Sequence, residues 1–461
     1  MENRMLEETV SKLAASLRGS VITPASNEYE AARKVYSGTI DRHPDAIVRC
    51  ANVADVRTAV NFARDEGVTA AIRGGGHSGA GFGVCDHGLV IDLSPMKGVR
   101  VDPATNTVRA EGGCTQADLN HAAHSFGLAV PVGVLSTTGI AGLTLGGGTG
   151  YLTRKYGLAL DNLLEADLVL ADGRFVTVSA KENQDLFWAI RGGGGNFGIV
   201  TSFFYRGCPV DQVYAGPMFW EMEHAREVMQ WYREVSLALP EEMYGFFAFL
   251  KVFPAPPFPE ELHGKTMCGI IWAYCGPMEK VEEAFRPVRE FRTPKFEMMG
   301  SMSYPALQSM FDALYPPGLQ WYWRGDFLAQ IPDEAIDEHL KFGEQLPTLH
   351  STMHFYPVDG AASRVGGNDT AFSYRDAKWS MAIVGVDPEP TNAEKITAWT
   401  KNYWTAVHPY SLGGAYVNFM MEEGIDRIKA TYRDNYGRLV EIKRQYDPDN
   451  FFHINQNIRP D

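Results

Sequence analysis

The chain reads as an α+β protein of two unlike parts, and three observations predict that class. From about residue 45 to 206, short apolar strand runs alternate with helical spacing around three glycine clusters. After Cys208-Pro209 the runs lengthen into strands separated by helices, the pattern of an antiparallel sheet flanked by helices. The last fifty residues return to a helix and a polar tail. The expected division is 1–207 (core about 40–207), an insert over 208–411, and a C-terminal return over 412–461; 461 residues suit such a plan.

In chain order, Val10, Leu13 and Leu17 suit a short amphipathic helix, and Met1 to Arg4 and onward lack the apolar core of a signal peptide. Ala70-Ala71-Ile72 and Leu89 to Leu93 are apolar strands. Val99 to Ala110 reads as a hairpin turning at Asp102 to Asn106. Gln116 to Phe126 has helical spacing, with Leu119, Ala122, Ala123 and Phe126 on one side and Thr115 as N-cap. A second hairpin runs from Glu165 to Ser179. In the insert, Tyr244 to Val252, Met267 to Tyr274 and Trp379 to Val386 are strands. Helices are expected over Ala225 to Leu239, Glu279 to Phe291, Glu334 to Leu346 and Ala393 to Val407, and a final one over Ile425 to Tyr446.

Composition removes several classes of function. Hydrophobic residues at 45% and charged residues at 21% exclude a disordered chain. A net charge of -14, with no Lys/Arg-rich stretch, disfavours a nucleic-acid surface. No apolar run has membrane-spanning length. Six scattered cysteines fit neither a disulfide framework nor a zinc site, so a cytoplasmic location with reduced thiols is expected.

The glycine clusters, Gly74 to Gly83, Gly139 to Gly150 and Gly192 to Gly198, are the informative feature. Glycine lets backbone N–H groups approach phosphate oxygens. Two clusters contain a literal G-x-G-x-x-G, but a dinucleotide fingerprint needs a helix immediately after it. Gly79 leads into more loop and then a strand, and Gly198 into the β-branched and aromatic run Ile199 to Tyr205. A Rossmann dehydrogenase is therefore rejected, whereas three clusters within about 125 residues exceed what tight turns alone explain.

Four segments carry a family resemblance: Arg73-Gly74-Gly75-Gly76-His77-Ser78; Gly142 to Gly150; Leu186 to Thr201; and Tyr446 to Ile458 with its Asn455-Gln456-Asn457. On these the chain resembles the vanillyl-alcohol-oxidase type of FAD-linked oxidases, in the berberine-bridge-enzyme-like branch, and among them bacterial hydroxynicotine oxidase and polyketide-tailoring flavoenzymes. The resemblance implies a bipartite PCMH-type FAD-binding domain with an inserted substrate domain. It implies that Arg73, Gly74, Gly75, Gly76 and Ser78 wrap the pyrophosphate and that His77 bonds to the flavin C8-methyl carbon. Leu135, Thr137, Thr138, Gly139, Gly142, Leu143 and Gly148 would follow along the flavin, with Thr138 and Leu143 near the oxygen-accessible face. Gly198, Ile199 and Val200 would lie near the adenine end, and Asn455 and Asn457 would return towards the flavin.

One departure sharpens this. Many relatives tether the flavin a second time through a cysteine before the second glycine cluster, where this chain has Leu135. Cys114 stands about twenty residues earlier and is expected to be a small buried residue. A single covalent bond, through His77, is expected.

The resemblance also implies the chemistry: hydride transfer from a C–OH donor to flavin N5, with O₂ as acceptor. Oxidation of a C–N bond, or a dehydrogenase or oxidative cyclase with poor oxygen reactivity, remains as alternative. Tyr416, in Gly413-Gly414-Ala415-Tyr416-Val417-Asn418, is the candidate proton acceptor, provided its neighbours lower its pKa. Asn418 would orient local backbone, and Tyr374 stands where relatives often carry a histidine. His354 and Tyr356, alternating on one strand, are further candidates to face substrate, although a structural role outweighs the functional one for each. Trp321 to Trp323 and Phe246-Phe247 are candidates for an aromatic pocket, against the competing reading of domain core. His121 and His124 have no third ligand and read as a solvated helix face. The partner is a small molecule; the sequence leaves the oligomeric state open.

Overall fold

The computed structural model describes residues 7–461; the start of the chain, Met1 to Arg4 included, lies outside the described residues. Four strands form the first sheet, in the order Ser20–Ile22, Ala46–Arg49, Leu89–Asp92, Ala70–Arg73. The last three are parallel and nearly all buried, which is why they read as continuous apolar runs rather than alternating ones. A second, antiparallel sheet orders Val99–Asp102, Thr107–Glu111, Ile199–Arg206, Leu163–Val169 and Phe175–Ser179. Both expected hairpins are there. Cys208–Pro209 pairs with Leu128–Ala129 where the chain leaves this part.

The insert contains an eight-stranded antiparallel sheet whose path runs Phe296–Glu297, Gln212–Glu221, Thr266–Tyr274, Met243–Lys251, Thr352–Pro357, Trp379–Asp387, Gln320–Leu328; Gly300–Ser303 also pairs with the second of these. Period-two alternation divides its side chains. Phe247, Phe249, Met353, Phe355, Met381 and Ile383 point to one face and form a core with the helices Ala225–Val235, Val281–Arg289, Asp333–Gly343 and Ala393–Val407. Phe246, Ala248, Tyr356, Ala382 and Val384 point to the other face, towards the glycine loops. Each large side chain buried on the helix face contributes about 1.5–3 kcal/mol, so that face anchors the sheet and leaves the other free to be shaped for a ligand.

Local chemistry explains the element ends. Thr115 caps Gln116–His124 through a capping box with Asp118, whose carboxylate accepts from the Thr115 amide. That helix stops at His124, and Phe126, expected on its buried side, is 52% exposed beyond the last turn. The final helix is also not continuous. It breaks into Ile425–Tyr432 and Asn435–Tyr446 at Arg433, whose φ is +47°. The break is held by tertiary contacts: the Arg433 guanidinium lies 3.5 Å over the Tyr374 ring and pairs with Asp376, while Asn435 donates to the carbonyls of Gly367 and Thr370. Helical spacing carries across such a corner because both halves bury the same stripe.

Candidate functional site

Where the glycine loops meet the inner face of the large sheet lies a cavity of about 440 Å³. One wall is backbone: the Gly74–Gly76 run, Gly139, Gly142 and the Gly194–Asn196 segment. The other is aromatic and apolar, with Phe246, Trp321, Trp323, Ala382 and Val384. Phe247 and Tyr322, the alternate residues of the two expected aromatic runs, do not line it. Lys251 is the sole charged side chain lining it among the described residues.

The first two glycine clusters touch backbone to backbone. A Cβ on Gly75 would stand 2.4 Å from the Gly139 Cα and N atoms, and one on Gly79 would stand 2.3 Å from the Trp323 ring. The amide N–H groups of Gly75 to Gly79 find no acceptor among the described residues, the state expected of a cradle built for an anionic ligand. Gly139→Val is therefore expected to lower stability by ~1–3 kcal/mol through overpacking and to yield colourless protein. The visible spectrum of the purified variant checks this: a yellow protein at wild-type occupancy would rule out the cradle.

His77 follows that run and faces the cavity. Its ring stacks on Tyr36 at 3.8 Å and 18°, and Thr138 Oγ1 lies 3.4 Å from its Nδ1. Burial pulls its pKa down to about 4, against a smaller opposing effect of a backbone hydrogen bond at Thr137. At neutral pH the imidazole is uncharged and keeps a nucleophilic lone pair. Leu135 and Ser78 also line the cavity, whereas Cys114 is buried elsewhere, its thiol pushed up to about 12 by desolvation.

Arg73 does not face the cavity. Its guanidinium donates to the carbonyls of Ala32 and Gly83 beside Asp92, so it closes the first glycine loop at its base. Gly198, Ile199, Val200, Leu143 and Asn455 line the cavity. Thr137 and Asn457 do not; Asn457 borders an adjoining surface recess with Arg42 and Arg459. Gly148 acts through its backbone: its N–H donates to the Tyr416 hydroxyl at 2.7 Å.

Tyr416 lines the cavity, and its oxygen also accepts from Asn418 Nδ2 at 2.8 Å. Asn418 thus orients the phenol as well as binding the Leu143 carbonyl. Burial nevertheless pushes the phenol up to about 12, outweighing the hydrogen bonds from Gly148, Asn418 and Thr149. At neutral pH it is a neutral phenol. Tyr374 corrects an expectation. It lies outside the cavity, stacked on Phe327 at 4.6 Å with its hydroxyl donating to the Ala430 carbonyl, because its loop wraps the outer side of the 412–416 segment. It packs outside the cavity wall.

Four residues to which the sequence reading gave no role matter here. Tyr36 has no local signal. Asn196, inside the third cluster, donates to the carbonyls of Gly193 and Gln456 and accepts from the Ile458 amide, while Gln456 donates to the carbonyls of Met420 and Met421. Lys443, fully buried, donates to the carbonyls of Asn196 and Phe452 and to Asp447. Together they lock the tail onto the third glycine cluster.

The comparisons with known proteins agree with this construction. The profile described as FAD binding domain matches residues 44–179, and that described as berberine and berberine like matches residues 415–459. An FAD-linked oxidoreductase of Dictyostelium discoideum is 31% identical over 98% of this chain and 97% of its own. (R)-6-hydroxynicotine oxidase of Paenarthrobacter nicotinovorans is 28% identical over 98% of this chain and 99% of its own. A solved glucooligosaccharide oxidase from Acremonium strictum, described with a 6-S-cysteinyl, 8α-N1-histidyl FAD, has a TM-score of 0.85 at 22% identity, over 98% of this chain and 99% of its own.

Fold and site define the chain as an FAD-dependent oxidoreductase. It belongs to the FAD-linked oxidoreductases of the berberine-bridge-enzyme-like family. The residues present fit FAD: the glycine cradle leaves no room for a Cβ at Gly75, and the buried polar atoms Gln116 Nε2 and Asn455 Oδ1, both on cavity-lining residues, lack partners among the described residues. No described helix is long and apolar enough to cross a membrane.

Proposed function

We propose that the chain is an oxidase holding FAD through one covalent bond from His77 to the 8α carbon. The donor is a small molecule of aromatic character that gives up a hydride from a carbon bearing a hydroxyl, and O₂ takes the electrons to form H₂O₂. FAD in this site supplies the hydride acceptor and, once reduced, the electron donor to oxygen. The observation that carries this reading is His77 itself: a neutral, cavity-facing imidazole fixed against Tyr36 at the end of the glycine cradle. The name of the Acremonium relative supports a histidyl link, and Leu135 in the cavity wall supports a single one. Division of the chain into 1–207, 208–411 and 412–461 follows from the same reading, with the insert supplying the donor's side of the cavity.

The chain's side chains set what the donor can be. The aromatic wall favours a flat ring, and the indole N–H groups of Trp321 and Trp323, without acceptors among the described residues, would bind oxygen substituents on it. Tyr416, oriented by Gly148 and Asn418, presents its O–H to the donor oxygen. The hydroxynicotine oxidase relative supports the competing reading, oxidation at a C–N bond. Peroxide release from a panel of aromatic alcohols, reducing disaccharides and 6-hydroxynicotine separates the two. Stopped-flow reoxidation of the reduced enzyme in air is expected to be fast; slow recovery of the yellow colour would replace the oxidase by a dehydrogenase or cyclase.

A further inference from the structure

The apolar face of the sheet that lines the cavity carries one polar chain. Thr352, His354 and Tyr356 sit two apart on one strand, project from the same face, and all line the cavity among Phe246, Ala248, Ala382 and Val384. Tyr356 Oη is 2.7 Å from His354 Nδ1, and His354 Nε2 is 3.0 Å from Thr352 Oγ1. Thr352 Oγ1 in turn donates to the Phe249 carbonyl at 2.6 Å.

That last bond decides the direction of all the others. A threonine hydroxyl has one hydrogen, and here the Phe249 carbonyl, which can only accept, takes it. Thr352 must then accept from His354, which places the imidazole proton on Nε2 and leaves Nδ1 bare. Burial pulls His354 down to about 3, so the ring is neutral and Nδ1 is an acceptor. The Tyr356 O–H therefore points at His354, and the lone pairs of its oxygen are left for the cavity. No N–H or O–H besides this chain reaches that oxygen among the described residues. Tyr416 differs on this point, since its oxygen already accepts from Gly148 and Asn418 and no base stands behind it.

A purely structural role would be an inefficient use of the strand. Each such hydrogen bond returns about 1 kcal/mol net, while apolar residues at the same three positions would match the rest of the wall without desolvating any polar group.

We infer that Tyr356 and His354 are the proton acceptor of the reaction, a one-way relay set by Thr352, and that the group they receive is a hydrogen-bond donor on the substrate. The inference rests on the oxidase reading. As the donor C–H breaks and its hydride leaves for FAD, the donor O–H proton passes to Tyr356 Oη while the Tyr356 proton passes to His354 Nδ1. C=O forms, two electrons leave with the hydride, and the imidazolium, disfavoured by the burial that keeps His354 neutral at rest, is transient and gives its proton to solvent as product leaves. Tyr416 and Asn418 position the donor oxygen. Thr352 is a positioning residue.

Two measurements test it. In holoenzyme labelled with ¹⁵N-histidine, the His354 resonances, assigned by their loss in His354→Gln, are expected to show a neutral Nε2–H tautomer at pH 7, shifting at Nδ1 in Tyr356→Phe. A protonated Nδ1 overturns the relay whatever the substrate. In anaerobic stopped-flow with 4-methoxybenzyl alcohol, Tyr356→Phe is expected to slow flavin reduction by about 100-fold, with little change in the apparent dissociation constant. The wild type should show a D₂O effect on that step that is absent in Tyr356→Phe and retained in Tyr416→Phe. Thr352→Val, which frees the tautomer, should slow reduction by about tenfold while keeping the D₂O effect. Loss of the D₂O effect in Tyr416→Phe with retention in Tyr356→Phe would assign the proton to Tyr416 and overturn the inference. A wild type that this alcohol does not reduce would instead count against the oxidase reading for aromatic alcohols, leaving the tautomer measurement to decide the relay.

Discussion

His77→Ala is expected to fold, bind FAD and lose it entirely to the supernatant on acid precipitation, whereas the wild type should give a yellow pellet. The cradle that grips the cofactor is backbone, from Gly74 to Gly76 and Gly139, so removing the imidazole leaves the closely packed loops intact. What goes is the bond and the stack on Tyr36. An electron-withdrawing imidazole at C8α raises the flavin's readiness to accept hydride, so turnover of the variant should fall by about tenfold or more, ~1.4 kcal/mol per decade. Mass spectrometry of tryptic peptides provides the positive control: FAD mass on the wild-type peptide Gly74–Lys97, placed by fragmentation on His77 and not on Cys85, and on no peptide containing Cys114 or the remaining cysteines. A yellow supernatant from wild-type protein would reject the covalent anchor while leaving FAD binding standing.

The largest loss of stability is expected at Lys443, far from any reacting atom. Its ammonium is fully buried, desolvation draws its pKa down, and Asp447 beside it at 2.6 Å holds it up. Lys443→Met leaves the Asp447 carboxylate in the interior without its counter-ion and removes the donor to the carbonyls of Asn196 and Phe452. Breaking such a pair from one side costs ~3–5 kcal/mol. The midpoint of urea unfolding should move accordingly, and FAD occupancy should fall because the third glycine cluster is held from the tail. Adding Asp447→Asn should recover part of the loss. The neutral amide removes the unpaired charge, although one of the two oxygens that accept from the amides of Phe451 and Phe452 is replaced by nitrogen. A single variant within 1 kcal/mol of wild type would show that the tail is not fastened there.

Much of the fold was legible because it is written in local periodicity. Strands such as Leu89–Asp92 declare themselves as continuous apolar runs, helices such as Ala393–Val407 by burial on one side, and Thr115 by its cap. The break at Arg433 was not legible, because the contacts that hold it come from residues near Tyr374 and Gly367, more than fifty positions away. Tyr374 itself failed as a site residue for a related reason: its neighbours in sequence say nothing of which side of the 412–416 segment it will pack against. Arg73 belongs to the right motif but serves it from beneath, since its side chain is spent on the carbonyls of Ala32 and Gly83.

Sequence alone determined the class of the protein: the two fingerprint matches lack a following helix, which excludes a Rossmann enzyme, and the glycine clusters, the histidine closing the first and the Asn-Gln-Asn tail carry the resemblance to FAD-linked oxidoreductases. Those are properties of short segments, where backbone freedom and strand or helix propensity act within a few residues. Tertiary structure alone decided which tyrosine has a base behind it. The direction of the hydrogen bonds through Tyr356, His354 and Thr352 depends on the Phe249 carbonyl, which pairing in the sheet brings within 2.6 Å of the Thr352 hydroxyl from 103 residues away. No periodicity encodes which way a proton points.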